Sequence, residues 1–303
     1  MQFGVSIPTE RVDAGEEFIS AAGIAEVACA AEDAGFHSCY VTDHPFPVQR
    51  WIEGGGHHSL DPFVALSFAA AATTTIRLQT HILVLGYRNP FLAAKAALSL
   101  DLLSAGRLTL GVGAGYLRGE FQALGADFDQ RGAVADETLV AMKRAFGEDD
   151  IAMQGLHFEA RGNTMRPRPT QRPHPPIWVG GNSRPAIRRA IEHGDGWLPF
   201  PNTAAMAPFT RTAAIESNQD LEQRIHYARS HAAKVGRTAP LAIGYSLDGL
   251  GQAERPAAAV LEEVAALAAL GVSWVGVGFP ATDRAGYCEA LQRFGEEVIR
   301  PTQ

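Results

Sequence analysis

The chain has 303 residues, 46% of them hydrophobic, and a formal net charge of −7. That length and apolar content can bury a sizeable core, which excludes a disordered chain and suits one large domain. The negative balance argues against a nucleic-acid binder, which needs a basic face to neutralise phosphates, while still allowing an anionic ligand held locally by backbone amides.

The three cysteines, Cys29, Cys39 and Cys288, form no CxxC pair. An odd count without paired spacing reads as reduced, mostly buried thiols in a cytoplasmic protein. The start, Met1-Gln2-Phe3-Gly4-Val5, lacks the basic region of a signal peptide, and no apolar run reaches the roughly 20 residues of a membrane span.

Short apolar runs of strand character alternate with longer runs of helical spacing. Residues 2–7 predict a first strand. Ile24, Val27, Ala28 and Ala31 share one face of a helix over 24–34, and Gly35 follows it where a C′ glycine belongs. Residues 38–42 predict a second strand, stopped by Asp43-His44-Pro45. A loop with three consecutive glycines, Gly54, Gly55 and Gly56, precedes a helix over 62–73 that Pro62 opens. Residues 77–85 predict a third strand, 90–104 a helix and 107–113 a fourth strand. A helix over 136–146 and an Arg- and Pro-rich stretch over 158–176 come next. The remaining strands are expected at 177–179, 196–199, 241–247 and 272–279, with helices at 184–193, 221–235, 257–270 and 285–299.

Eight strands alternating with helices predict a closed (β/α)8 TIM barrel, one domain over 1–303, with insertions at its C-terminal face. A doubly wound open sheet is the competing architecture. The 158–176 stretch resists a regular element and reads as an insertion over the barrel mouth.

In a barrel the carboxyl ends of the strands carry the site. Asp43 and His44 follow the second strand, and His44 can exchange a proton near neutral pH; the pair can also simply end the strand. Gly180-Gly181-Asn182-Ser183 joins a strand to a helix, so it reads either as a backbone cradle for an anion or as a plain turn. Gly111-Val112-Gly113-Ala114-Gly115 fails as a dinucleotide fingerprint because Tyr116 holds the sixth position. His57, His58 and Asp61 suggest a metal cluster, but too few other ligands fall at strand ends, so no metal is expected.

Together, Tyr87-Arg88-Asn89-Pro90, the run Leu100-Asp101-Leu102-Leu103-Ser104-Ala105-Gly106-Arg107 and the run Leu110-Gly111-Val112-Gly113-Ala114-Gly115-Tyr116 resemble the luciferase-like monooxygenase superfamily. Pro175-Pro176-Ile177-Trp178-Val179-Gly180-Gly181 and Gly194-Asp195-Gly196-Trp197 extend the likeness, strongest over residues 1–200. The strand end Val41-Thr42-Asp43-His44 resembles the branch that uses coenzyme F420, a deazaflavin, with FMN the alternative.

The resemblance implies a cofactor across the barrel mouth. Asp43 and His44 would lie near its ring, and Thr80, His81 and Ile82 behind it, with a cis peptide between His81 and Ile82. Ala114, Gly115 and Gly119 would contact the ring edge or tail, and Val179, Gly180, Gly181 and Asn182 would hold the phosphate through their amides. Tyr116 stands where the superfamily's sugar-phosphate dehydrogenase has an acidic Glu, which argues against that substrate. The implied activity is hydride transfer between F420 and a small organic molecule, with His44 as proton partner and Asp43 orienting it. Trp51, His57 and His58 would shape the substrate side or form a solvated loop. The rivals are a monooxygenase using FMNH2 and oxygen, and a non-catalytic flavin- or deazaflavin-binding protein. A homodimer is expected.

Overall fold

The computed structural model describes residues 1–247 and 255–302. The chain opens with β1 (Gln2–Ser6), α1 (Ala21–Asp33), β2 (Ser38–Val41) and a short α2 (Gln49–Glu53). Then come α3 (Pro62–Ala72), β3 (Arg77–Val84), α4 (Pro90–Leu103), β4 (Leu108–Gly113), α5 (Arg118–Ala123) and α6 (Arg131–Gly147). A hairpin of β5 (Ile151–Gln154) and β6 (Glu159–Asn163) leads to β7 (Ile177–Gly180), α7 (Arg184–His193) and β8 (Gly196–Leu198). The chain finishes with α8 (Ala207–Thr210), α9 (Asn218–Lys234), β9 (Ala242–Ser246), α10 (Ala257–Leu270), β10 (Trp274–Val277) and α11 (Arg284–Phe294).

Eight parallel strands close in the order β1-β10-β9-β8-β7-β4-β3-β2, while β5 and β6 pair antiparallel outside the barrel. The TIM barrel read from the sequence is the architecture observed. Strands covered on both faces should read as unbroken apolar runs, and β4 is buried at all six positions. Gly111 is required there, because a Cβ on it would sit 2.0 Å from the Thr80 carbonyl oxygen of β3.

Helix starts follow their caps. Asp61 accepts from the Phe63 and Val64 amides ahead of α3, Ser183 caps α7, and Asp283 caps α11. Pro62 and Pro90 occupy first turns, where no amide hydrogen is needed.

Two of the recognised runs serve the framework rather than chemistry. Asp101 is fully buried and accepts from the Thr170 and Gln171 amides and the Gln171 side chain. Arg107 donates to the Ala70, Thr73 and Ile76 carbonyls, closing the end of α3 onto the start of β4. Asp195 accepts from the Ile177 amide and fixes where β7 begins.

The 158–176 stretch does not cover the barrel mouth. Its first part is β6, and Thr170 and Gln171 lie against Asp101, Arg77 and the Leu108 carbonyl, near the amino ends of β3 and β4. The reason is topological: β7 is parallel to β4, so the chain must return to that end before β7 starts. Helix α6 begins at Arg131, five residues ahead of the reading, because Gln130 offers no side-chain cap to mark it. The three cysteines are unpaired. Among the described residues no helix is long and apolar enough to cross a membrane.

Candidate active site

A cavity of about 710 Å³ opens at the carboxyl ends of the strands. Its floor is set by a break in β3. The pairing of β3 with β4 shifts register between Thr80 and Leu83, and the His81–Ile82 peptide is cis. Ile82 lies under the cavity between two strand ends that carry no side chain. A Cβ on Gly113 would meet Ile82 Cδ1 at 2.7 Å, and one on Gly180 would meet Ile82 Cγ2 at 3.1 Å. The result is a flat apolar platform. His81 stacks on Tyr40 with ring centroids 4.5 Å apart, and burial lowers its pKa to about 4, so it is neutral at physiological pH.

At one end of the platform stands His44, whose Nδ1 lies 3.2 Å from Oε2 of the fully buried Glu120 on α5. Glu120 also accepts from the Tyr87 hydroxyl at 2.7 Å and the Phe46 amide at 3.2 Å. Burial first, then the hydrogen bond and charge of Glu120, push the Tyr87 pKa far up, so Tyr87 remains a donor. A carboxylate oxygen can only accept, so Nδ1 of His44 carries a hydrogen, and in the neutral tautomer Nε2 is the nitrogen left to accept. Trp51, His57 and Tyr116 pack around the imidazole at centroid distances of 4.6, 4.9 and 6.0 Å.

Asp43 does other work. Its buried carboxylate accepts from Arg88 at 2.6 and 2.9 Å and from the Val84 amide at 3.0 Å. Arg88 also reaches Asp61, so one guanidinium ties the end of β2 to the start of α3.

The other end of the platform is cationic. Arg131, Arg189, Arg211, Ser183 and Thr212 line it, beside the amino ends of α6 and α7. Arg189 is paired with Asp136, but no carboxylate lies within ion-pair distance of Arg131 or Arg211 among the described residues. Both stack on the Phe128 ring, at 4.2 and 4.9 Å, with Arg118 on it at 4.3 Å. Burial first, and then the charge of Arg211, lower the Arg131 pKa. Asp129 also lines the cavity but is paired with Arg118, so two guanidiniums without an ion-pair partner, beside helix amino ends, leave this end with a positive balance that favours an anion.

The family model described as luciferase-like monooxygenase matches residues 1–293. The chain belongs to that family. It is 30% identical over 210 residues to an FMNH2-dependent dimethylsulfone monooxygenase of Pseudomonas putida, covering 68% of this chain and 54% of the relative. The chain thus spans about half the length of that relative. Monooxygenase RslO1 of Streptomyces bottropensis superposes with a TM-score of 0.76 at 23% identity, over 100% of both chains. A coenzyme F420-dependent tetrahydromethanopterin reductase of Methanopyrus kandleri superposes with 0.75 at 16% identity, over 100% of this chain and 99% of that one. At those identities the structures share the fold.

Membership in the luciferase-like family puts each implied residue to a geometric check. Asp43, His44, His81, Ile82, Ala114, Gly115, Gly180 and Gly181 line the cavity. Four others do not. Thr80 is fully buried and donates its hydroxyl to the Gly111 carbonyl. Val179 is fully buried in the barrel core. Gly119 faces Val48, whose Cγ1 a Cβ would meet at 2.2 Å.

Asn182 corrects the amide-cradle reading. Its amide donates to Thr212 Oγ1, and its fully buried side chain bonds Phe200 and the Ala213 carbonyl, while the Gly181 amide is taken by Leu198. The Gly181 amide thus joins β7 to β8, while Asn182 holds the 200–213 loop, and that loop delivers Arg211. Orientation of His44 likewise passes from Asp43 to Glu120. Asp61, the third member of the suspected metal trio, is spent on Arg88 and the α3 cap, and no cluster of three metal-ligating side chains occurs among the described residues.

Tyr87 and Arg88 enter the sequence reading only within the motif Tyr87-Arg88-Asn89-Pro90, without a role, and Glu120, Arg131 and Arg211 are absent from it. Of those three only Glu120 leaves a trace, as a carboxylate on the first turn of a short helix that follows a glycine-rich strand end.

Proposed function

We propose that the chain is an F420-dependent oxidoreductase that transfers a hydride between the deazaflavin and a small organic substrate. The observation that carries the reading is the His44–Glu120 pair at the rim of the Ile82 platform. Hydride transfer to or from a carbon bearing oxygen needs a group that takes or returns the oxygen's proton, and His44 Nε2 is that group. Glu120 fixes the tautomer and Tyr87 holds Glu120.

The residues present fit a flavin-type group. A planar tricycle matches the side-chain-free strip of Gly113 and Gly180 around Ile82. When bound, F420 supplies a two-electron ring that reacts poorly with oxygen. Its tail carries carboxylates beyond the phosphate, which suits two unpaired guanidiniums, Arg131 and Arg211, better than a single phosphate does. The chain's own contribution is to orient the substrate, exclude water and handle the proton.

The FMNH2-dependent monooxygenase of Pseudomonas putida favours a second reading, a reduced-FMN monooxygenase. Titrating the purified chain with F420 and with FMN separates the two. Tight binding of F420 is expected, and tight binding of FMN with none of F420 overturns the first reading. His44→Ala should keep cofactor binding and lose turnover by about a hundredfold or more. A wild-type chain that binds cofactor yet turns over nothing in a broad substrate panel would be a carrier.

The same reading includes a homodimer. Val64 and Phe68 on α3 and Leu92 and Leu103 on α4 are exposed on adjoining helices, an apolar surface that a second copy would cover. Light scattering on the purified chain tests it.

A further inference from the structure

Two imidazoles meet at the His44 end of the cavity, and both are committed in the same way. The His44 and His57 rings stand 4.9 Å apart, nearly perpendicular at 84°. His44 Nδ1 faces Glu120, whose oxygens already accept from Tyr87 and the Phe46 amide. His57 Nδ1 lies 3.0 Å from the His58 carbonyl oxygen, an atom that can only accept, so Nδ1 carries the hydrogen there too. With Nδ1 holding the hydrogen, the neutral form of each ring presents Nε2 as a bare acceptor.

Both rings line the cavity, and neither Nε2 is hydrogen-bonded to a described residue. Burial, the largest influence on His57, outweighs the pull of the His58 carbonyl and lowers its pKa below the ordinary histidine value, which favours the neutral ring. A ketone oxygen brings no hydrogen to either acceptor, and a mono-alcohol satisfies one of the two. An acceptor covered by a substrate that offers it nothing loses its water without replacement, which costs affinity.

We propose that the cavity selects a vicinal diol, with one hydroxyl donating to His44 Nε2 and its neighbour to His57 Nε2. His57 is then a specificity-determining residue, and His44 the one that also takes the proton. The assignment rests on the reading that the cofactor ring lies on the Ile82 platform, which leaves these two atoms to the substrate. Tyr116 lines the cavity beside them, with Trp51 packed against Tyr116 and His57, and offers an aromatic face to the carbon skeleton of such a molecule.

The test uses cis-cyclohexane-1,2-diol, cyclohexanol and cyclohexanone, which share a ring and carry two, one and no donors. Dissociation constants are measured on the F420-loaded chain and on the cofactor-free chain, by nitrogen NMR of histidine-labelled protein. The diol should bind about tenfold more tightly than cyclohexanol, and cyclohexanone more weakly still. Both Nε2 signals should be those of unprotonated nitrogen at neutral pH. In His57→Phe the diol and cyclohexanol should converge, while His57→Asn, whose amide oxygen accepts, should keep part of the preference. Cyclohexanone binding as well as the diol, or a protonated Nε2 on either ring, overturns the proposal. Failure of F420 to bind at the loading step overturns the cofactor reading instead, and the cofactor-free series then still decides the donor preference.

Discussion

Glu120 Oε2 stands 3.2 Å from His44 Nδ1, across 76 positions of sequence. The carboxylate next to His44 in the chain, Asp43, is turned away to Arg88. The pairing decides which nitrogen of His44 faces the cavity, and so whether the ring can accept a proton there. Glu120→Gln can offer an amide N–H to Nδ1 and stabilise the opposite tautomer. The expected result is a kcat lower by about tenfold or more, with F420 affinity retained and the pH profile of kcat/KM displaced. Tyr87→Phe, which removes one of three donors to Glu120, should cost only a few-fold. A Glu120→Gln enzyme with unchanged kcat and pH profile would refute the positioning role.

Asp43 belongs to the framework of the site. Its side chain is 1% exposed and Arg88 is the cation that accompanies it. Removing one partner of a buried pair leaves the other uncompensated, which is costlier than removing both. Arg88→Leu should destabilise by about 2–3 kcal/mol in denaturant unfolding, the figure reduced because Arg88 is itself partly exposed. The double variant with Asp43→Asn should cost less than the sum of the two single variants. Additive single variants would mean that the pair contributes no coupling.

The architecture was legible because barrel strands such as β4, buried at every position, produce unbroken apolar runs between capped helices. The floor was legible only through family likeness: nothing in the pattern of residues 80–83 announces a register shift. At the β7 end, residues after a strand look like an open cradle, yet the Gly181 amide donates to the Leu198 carbonyl and the Asn182 amide to the Thr212 hydroxyl, partners 17 and 30 positions away that spacing does not reveal. Glu120 and Arg211 escaped notice because each acquires its meaning from a partner far along the chain. Spacing within a helix or strand reveals its buried face, whereas a site assembled from five loops has no period to read.

Glu32 supplies a pH-dependent contribution to stability away from the site. It closes the turn before β3 by accepting from the Thr74, Thr75 and Ile76 amides and from the Thr75 hydroxyl. Desolvation raises its pKa, but these hydrogen bonds outweigh it and bring the value to about 2. A depressed folded-state pKa means the unfolded chain binds the proton more readily. The contribution is therefore present in full above the ordinary carboxylate pKa of about 4.5 and is lost as pH falls toward 2. Glu32→Gln should lower stability at pH 7 by on the order of 1 kcal/mol, a figure discounted for solvent screening of a partly exposed group, and flatten the acid limb of the stability curve between those two values. An acid limb identical to that of the wild type would show that Glu32 does not contribute to it.

The cationic end carries a cost that a ligand removes. Arg211 adopts φ +51°, a left-handed conformation unusual for a residue with a Cβ, and it shares the Phe128 ring with Arg131 and Arg118. Like charges crowded over one ring oppose folding of the empty chain and favour an anion placed between them. Asn tolerates the left-handed region and carries no charge, so Arg211→Asn removes the charge and its contact with Phe128 while keeping the backbone conformation. Its melting temperature without cofactor should be unchanged or higher by about 2 °C, as expected for relief of under 1 kcal/mol in a chain of this size. F420 and inorganic phosphate should both bind about tenfold more weakly, and the salt dependence of F420 binding should become shallower. A variant that melts earlier while binding both anions as before would show that Arg211 is held there for structure, and the anion would have to be sought elsewhere on the barrel.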